Sequence, residues 1–135
     1  MMIRQLDDRT FISAQIQPDD VPQLKQFDID LIINNRPDGE EASQPLAVDI
    51  EAAASAAGIA YRAVPIAKGI GPSEVEEMRQ ALEATDGNVL AYCKSGQRSA
   101  LVWALARRTQ GASVAELRAA ADEGGIDLTP IAHLL

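Results

Sequence analysis

The chain has one cysteine, Cys93, set in the stretch "AYCKSGQRSA" and followed by Lys94, Ser95, Gly96, Gln97, Arg98 and Ser99. A thiol closing an apolar run, with a glycine and an arginine soon after it, supplies the parts of an anion-cradling loop with a nucleophile at its edge. Gly96 permits backbone angles denied to other residues, so a turn through Lys94, Ser95 and Gly96 can aim successive N–H groups inward. A helix beginning near Gln97 adds the partial positive charge of its N-terminus at the same place. That ring of donors favours a thiolate at Cys93, a nucleophile at neutral pH. Arg98 brings a planar cation that can grip two oxygens of a phosphate or sulfonate, and Lys94 a point charge with less directional control. The Ser99 hydroxyl can cap the helix, donate to the thiolate or assist a leaving group. The competing reading is a small buried hydrophobe before an ordinary strand-to-helix turn. The order strand, glycine, cation, helix favours the functional loop.

Such a loop needs a strand before it and a helix behind it, and the flanking pattern predicts both. Apolar, β-branched runs predict strands over Thr10–Ile16, Asp28–Asn35, Ile59–Ile66 and Gly87–Cys93. Between them, helices are predicted after the Pro18-Asp19-Asp20 signal, from Pro45 to the stop at Gly58, after Pro72, and through "SALVWALARR". Ser113 and Glu116 form a capping box for a further helix, and the tail after it is helical. The alternation predicts an α/β fold with a small, mostly parallel central sheet of about four strands flanked by helices. In such sheets ligands bind at the C-terminal ends of the strands. Three loops leave those ends: "NRPDGEE", "AKGIG" and "CKSGQRS". On this rim Arg36 and Asp38 are candidates for orienting substrate or pairing with Arg98. Lys68, beside Gly69 and Gly71, is a candidate cation on a mobile lid. Tyr92 and Trp103 are expected in the core and His133 at the surface.

The 135 residues predict one domain, 1–135, with a formal net charge of -8 that disfavours nucleic acid as a partner. Aromatic residues make up 4% of the chain, which leaves few platforms for stacking bases. No targeting segment and no bilayer-length apolar run is visible, so the expectation is a cytoplasmic protein with no membrane contact. One cysteine and a distant His133 offer no metal site, and the chemistry of the loop calls for no cofactor.

"YCKSGQRSA" resembles the active-site loop of rhodanese-type sulfurtransferases. "SAQIQPDD", "IINNRPDGEE", the helix spacing around Ala52 to Tyr61, "VPI" and "AYCKSGQRSALVWAL" resemble the phosphatase-like domain found alone or attached to beta-lactamase-hydrolase-like proteins, a family labelled a sulfur transferase. The likeness runs from about Ile3 to the terminal helix and implies a fold similar to dual-specificity protein tyrosine phosphatases. Phosphatases of that fold place five residues between Cys and Arg, usually a His before the Cys, and an acidic Asp on the loop after the preceding strand. Here four residues separate Cys93 from Arg98, Tyr92 precedes, and "VPIAKGIGPSE" offers Lys68 and no Asp. The resemblance therefore implies a rhodanese-type sulfurtransferase. Cys93 would take sulfane sulfur from a small anion, thiosulfate or a persulfide, and pass it to a thiol acceptor such as glutathione. Departing sulfite needs cations rather than a proton. The fused relatives imply a persulfide-oxidising enzyme as partner. The alternative is a phosphatase acting on a phosphoester through a phosphocysteine, with Asp38, Glu40 or Glu41 as the acid. A third reading is a non-catalytic module that binds anions or senses oxidants through its thiol.

Overall fold

Leu31, Ile32 and Ile33 are all buried, as a strand covered on both faces requires. In the computed structural model, which describes residues 1–135, they lie in β3 (Ile29–Asn34). The other strands are β1 (Ile3–Gln5), β2 (Thr10–Ser13), β4 (Ala60–Ala63) and β5 (Asn88–Tyr92). Their order across the sheet is β1-β2-β5-β3-β4. The pairs β2–β5, β5–β3 and β3–β4 are parallel, giving the α/β architecture expected from the alternation of strands and helices. The sheet has five strands rather than about four. The additional one, β1, runs antiparallel to β2 with Ile3 opposite Ser13. Its three residues, Ile-Arg-Gln, are too few for a period-two pattern to stand out.

Alternation along the strands sorts side chains onto two helical layers. Leu31, Ile33, Val89 and Ala91 face one core, where Met78, Leu82, Val102 and Trp103 close over them. Ile32, Leu90 and Tyr92 face the other, packed with Val21, Leu24, Ile50 and Ala54. Each Leu or Ile so buried contributes about 1.5–3 kcal/mol of transfer free energy. The first layer is built from α2 (Pro72–Glu83), α3 (Gln97–Thr109) and α4 (Val114–Gly124). The second is built from α1 (Ala47–Ala57) and a 3-10 helix over Pro18–Phe27. Pro22 lies inside that 3-10 segment and has no N–H to give to an α-helical ladder. Half of the predicted capping box is present: the Ser113 hydroxyl accepts from the Glu116 N–H at 3.1 Å, and the Glu116 carboxylate does not return the bond to the Ser113 N–H. The tail forms a second 3-10 helix, Thr129–Leu134. No helix is long and apolar enough to cross a membrane.

The placement of β5 matters most for the site. Tyr92, its last residue, pairs with Ser13 of β2 on one side and with Asn34 of β3 on the other. Cys93 therefore leaves the sheet between the loops that follow β2 and β3.

Candidate functional site

Cys93 is fully buried and leads into a tight turn in which Gly96 adopts φ 95°, the left-handed region that glycine tolerates. That geometry turns the Gly96 N–H back onto the Cys93 Sγ, at 3.1 Å. Gly96 is also the N-cap of α3, so the sulfur lies against the positive end of a 13-residue helix. One residue inside the helix, Arg98 folds back over the loop. Its Nη1 donates to the Ile66 carbonyl at 2.8 Å, which ties the guanidinium to the segment after β4.

The guanidinium is paired. Glu40 accepts from it with both oxygens, Oε2 from Nη1 at 2.7 Å and Oε1 from Nη2 at 2.8 Å. Glu40 Oε1 also accepts from Arg36 Nε at 3.0 Å. Arg36, nearly inaccessible at 4% side-chain exposure, spreads its other nitrogens to Gln15 Oε1 at 3.1 Å and Glu41 Oε1 at 2.8 Å. Lys94 reaches the same Glu41 oxygen at 3.2 Å. The hydrogen bond from Arg98, joined by the one from Arg36, holds the Glu40 carboxyl down to about 2 despite the opposing effect of burial. Hydrogen bonds from Lys94 and then Arg36 keep Glu41 below the usual carboxylate range. Arg98 is raised in turn, first by Glu40 and further by the charge of the adjacent Cys93 sulfur. The site is thus a buried thiol followed by a rim where Arg36, Lys94 and Arg98 pair with two ionised carboxylates, Glu40 and Glu41.

Of the residues expected here from the sequence, the structure assembles Cys93, Lys94, Gly96, Arg98 and Arg36. Others do different work. Asp38 makes no ion pair with Arg98; its carboxylate accepts from the Ala47 N–H at 2.8 Å, capping the first residue of α1. Lys68 is exposed and belongs to no ion pair or hydrogen bond, so the second cation beside Arg98 is Arg36, not Lys68. Ser95 accepts from the Gln97 N–H at 3.3 Å, and the Gln97 side chain turns out to the Asp127 carbonyl at 2.7 Å. The expected ring of inward N–H groups therefore reduces to one direct donor to sulfur, Gly96. The Ser99 hydroxyl is buried and meets no protein partner, so it neither caps α3 nor donates to the sulfur.

Two contributors carry no sequence signal of their own. Gln15 enters because β5 is inserted between β2 and β3, which brings the loop after β2 to the same rim. Arg4, on β1, donates to the Ser95 carbonyl at 3.1 Å and to the Gly124 carbonyl at 2.8 Å, pinning the thiol loop to the end of α4.

Residues 2–112 match the family described as beta-lactamase hydrolase-like protein, phosphatase-like domain. The chain belongs to that family. A beta-lactamase hydrolase-like protein of Xylella fastidiosa (strain Temecula1) is 38% identical over 112 residues, 82% of this chain and 26% of the relative. The chain thus spans about a quarter of the length of the curated relatives it matches. A crystal structure from Neisseria meningitidis Z2491, of a protein provisionally named a phosphatase, superposes with TM-score 0.83 at 35% identity, covering 97% of this chain and 94% of that one. A variant of Pseudomonas aeruginosa TpbA in complex with phosphotyrosine shares the fold at TM-score 0.63 and 20% identity, covering 90% and 70% of the two chains.

These findings correct the rhodanese-type expectation. The family is described as a phosphatase-like domain, the Neisseria protein carries a phosphatase name, and the fold is shared with tyrosine phosphatases. The Cys-x4-Arg spacing that suggested sulfur transfer does not mark a sulfurtransferase here. The reason is geometric. Arg98 is placed by the first turn of α3 and by the Ile66 carbonyl, so counting loop residues does not measure the room beside the sulfur.

Proposed function

We propose that this phosphatase-like domain hydrolyses phosphomonoesters through a phosphocysteine at Cys93. The observation that carries the reading is that the Gly96 N–H and the N-terminus of α3 meet at one sulfur, with Arg98 in the first turn of the same helix. The phosphatase-like family description, the phosphatase name of the Neisseria protein and the tyrosine-phosphatase fold support it. In the first step the Cys93 thiolate attacks phosphorus, the S–P bond forms, and the P–O bond to the leaving group breaks. Arg98 and the loop amides hold the non-bridging oxygens, where charge is concentrated. In the second step water attacks phosphorus, the S–P bond breaks, and phosphate and the thiolate are released.

The substrate preference follows from the carboxylates. Asp38 is engaged in capping α1, and Glu40 and Glu41 are ionised in their ion pairs. No carboxyl group at the rim is placed as a proton donor in the free protein. A general acid is worth about 10²–10⁴ in rate, so without one the leaving group must depart on its own. Aryl phosphates, which release a stabilised phenolate, are the substrate class this site serves best.

The test is hydrolysis of a series of aryl and alkyl phosphates by wild type and Cys93→Ser. Wild type should release phosphate from p-nitrophenyl phosphate, with kcat falling steeply as the leaving group becomes more basic. Cys93→Ser should lose at least about a thousandfold. Acid-quenched wild type should carry one phosphoryl group on Cys93 by mass spectrometry. Turnover that survives in Cys93→Ser would remove the mechanism.

A further inference from the structure

A phosphoryl group attacked by Cys93 needs the fork of Arg98, and that fork is already filled by both oxygens of Glu40. A carboxylate and a phosphoryl group present the same pair of acceptors to a guanidinium, so the two compete for one seat. We propose that Glu40 is a specificity-determining residue that occupies the oxyanion subsite of the free protein and yields it to tetrahedral dianions while excluding monoanions. The identity of the incoming anion rests on the phosphatase reading. Displacement of the carboxylate does not depend on turnover.

Three further observations support the exchange. Cys93 is fully buried, so a substrate reaches its sulfur only if a group at the rim moves. Glu40 is able to move, since its side chain is 29% exposed and it lies in the turn-rich segment between β3 and α1. It also has a place to stay. Arg36 donates to Glu40 from below and is itself held by Gln15 and Glu41. A released Glu40 therefore remains paired with Arg36 rather than becoming an unpaired charge. Selectivity follows from charge. Arg98 and the N-terminus of α3 adjoin the subsite, and their attraction for a dianion is about twice that for a carboxylate at equal distance. A monoanion gains nothing by replacing Glu40.

The experiment compares wild type with Glu40→Gln and Glu40→Ala. Glu83→Gln is the control, because it removes one negative charge from an exposed ion pair on α2 without touching Arg98. Calorimetric titration with tungstate, a tetrahedral dianion that is not turned over, gives affinity. The rate of Cys93 alkylation by iodoacetamide gives access to the sulfur. Both Glu40 variants are expected to bind tungstate roughly three- to tenfold more tightly and to alkylate faster, with formate newly competing for the site. Glu83→Gln should behave as wild type. Unchanged or weaker tungstate binding in both Glu40 variants overturns the proposal. So does equal tightening in Glu83→Gln, which would assign the effect to the overall charge. Loss of cooperative melting in both Glu40 variants would make Glu40 a structural residue and also overturn it. A fall in kcat for alkyl phosphates with tungstate affinity unchanged would reassign Glu40 as the proton donor, against the proposal. Tungstate binding and alkylation do not use hydrolysis, so failure of the phosphatase reading shows separately, as absent turnover in wild type.

Discussion

Asn34 stands opposite Tyr92 where β3 and β5 end together, and the next residues remain joined, the Asn35 N–H donating to the Tyr92 carbonyl at 2.8 Å. The two chains leave the sheet at the same level. Asn34 Oδ1 then accepts from the Arg36 N–H at 2.9 Å and turns that chain across the rim toward Arg98. One strand register thus brings a carboxylate from residue 40 and a guanidinium from residue 98 into a two-point ion pair, and the behaviour of the site depends on it.

Arg98→Lys keeps the charge and loses the fork. An ammonium cannot hold two oxygens in one plane, nor bind both a phosphoryl group and the Ile66 carbonyl in the present geometry. kcat/KM for p-nitrophenyl phosphate is expected to fall by about 10²–10³, the usual cost of removing a directed donor from developing charge. Steady-state kinetics at neutral pH checks this, and a loss of less than about fivefold would show that charge alone suffices.

The Glu40 pair carries a defined acid sensitivity. Its carboxyl is held at about 2 against an ordinary 4.5, chiefly by the hydrogen bond from Arg98. A carboxyl depressed on folding stabilises the folded state fully above its unfolded value and loses that contribution as the pH falls through the folded value. The unfolding free energy of wild type minus that of Glu40→Gln should therefore be constant above about pH 5. It should shrink between 4.5 and about 2. With both side chains about a quarter exposed and screened by solvent, the plateau is expected below about 1 kcal/mol. Urea melts across that range measure it, and a difference that grows toward low pH would contradict the assignment.

Gly96→Ala tests the loop itself. A Cβ at this position would lie 2.8 Å from Arg4 Nη2 and 3.4 Å from the Ser13 carbonyl oxygen, on a backbone at φ 95°. The left-handed conformation alone costs an L-residue about 1–2 kcal/mol. Displacing Arg4 also releases its bond to Ser95. Chemical denaturation should show at least that loss, and phosphatase activity should fall further than stability does, because the Gly96 N–H is the donor to sulfur. Activity that tracks stability alone would mean the amide does not act on Cys93.

Local signals were sufficient for much of the fold and part of the site. The buried run Leu31 to Ile33, the N-cap at Ser113 and the glycine that closes α1 each depend on near neighbours, and each is where its pattern places it. The three-residue β1, which carries Arg4, is below the length at which alternation is recognisable. Asp38 and Lys68 both carry charge in loops that follow strands. Charge does not say which way a side chain turns, and one caps a helix while the other meets solvent.

The amino-acid sequence alone determined that a thiol, a left-handed glycine and an arginine open a helix after a buried strand, because those preferences are decided within a few residues of one another. Only the tertiary structure decided which groups answer that arginine. Strand order is set by how two apolar faces are covered, and it brought Gln15, Arg36, Glu40 and Glu41 to the mouth of the loop from distant parts of the chain. Spacing along the chain suggested sulfur chemistry and the family to which the chain belongs overturns it, since the room beside Cys93 is set by distances in space and not by residues counted along the loop.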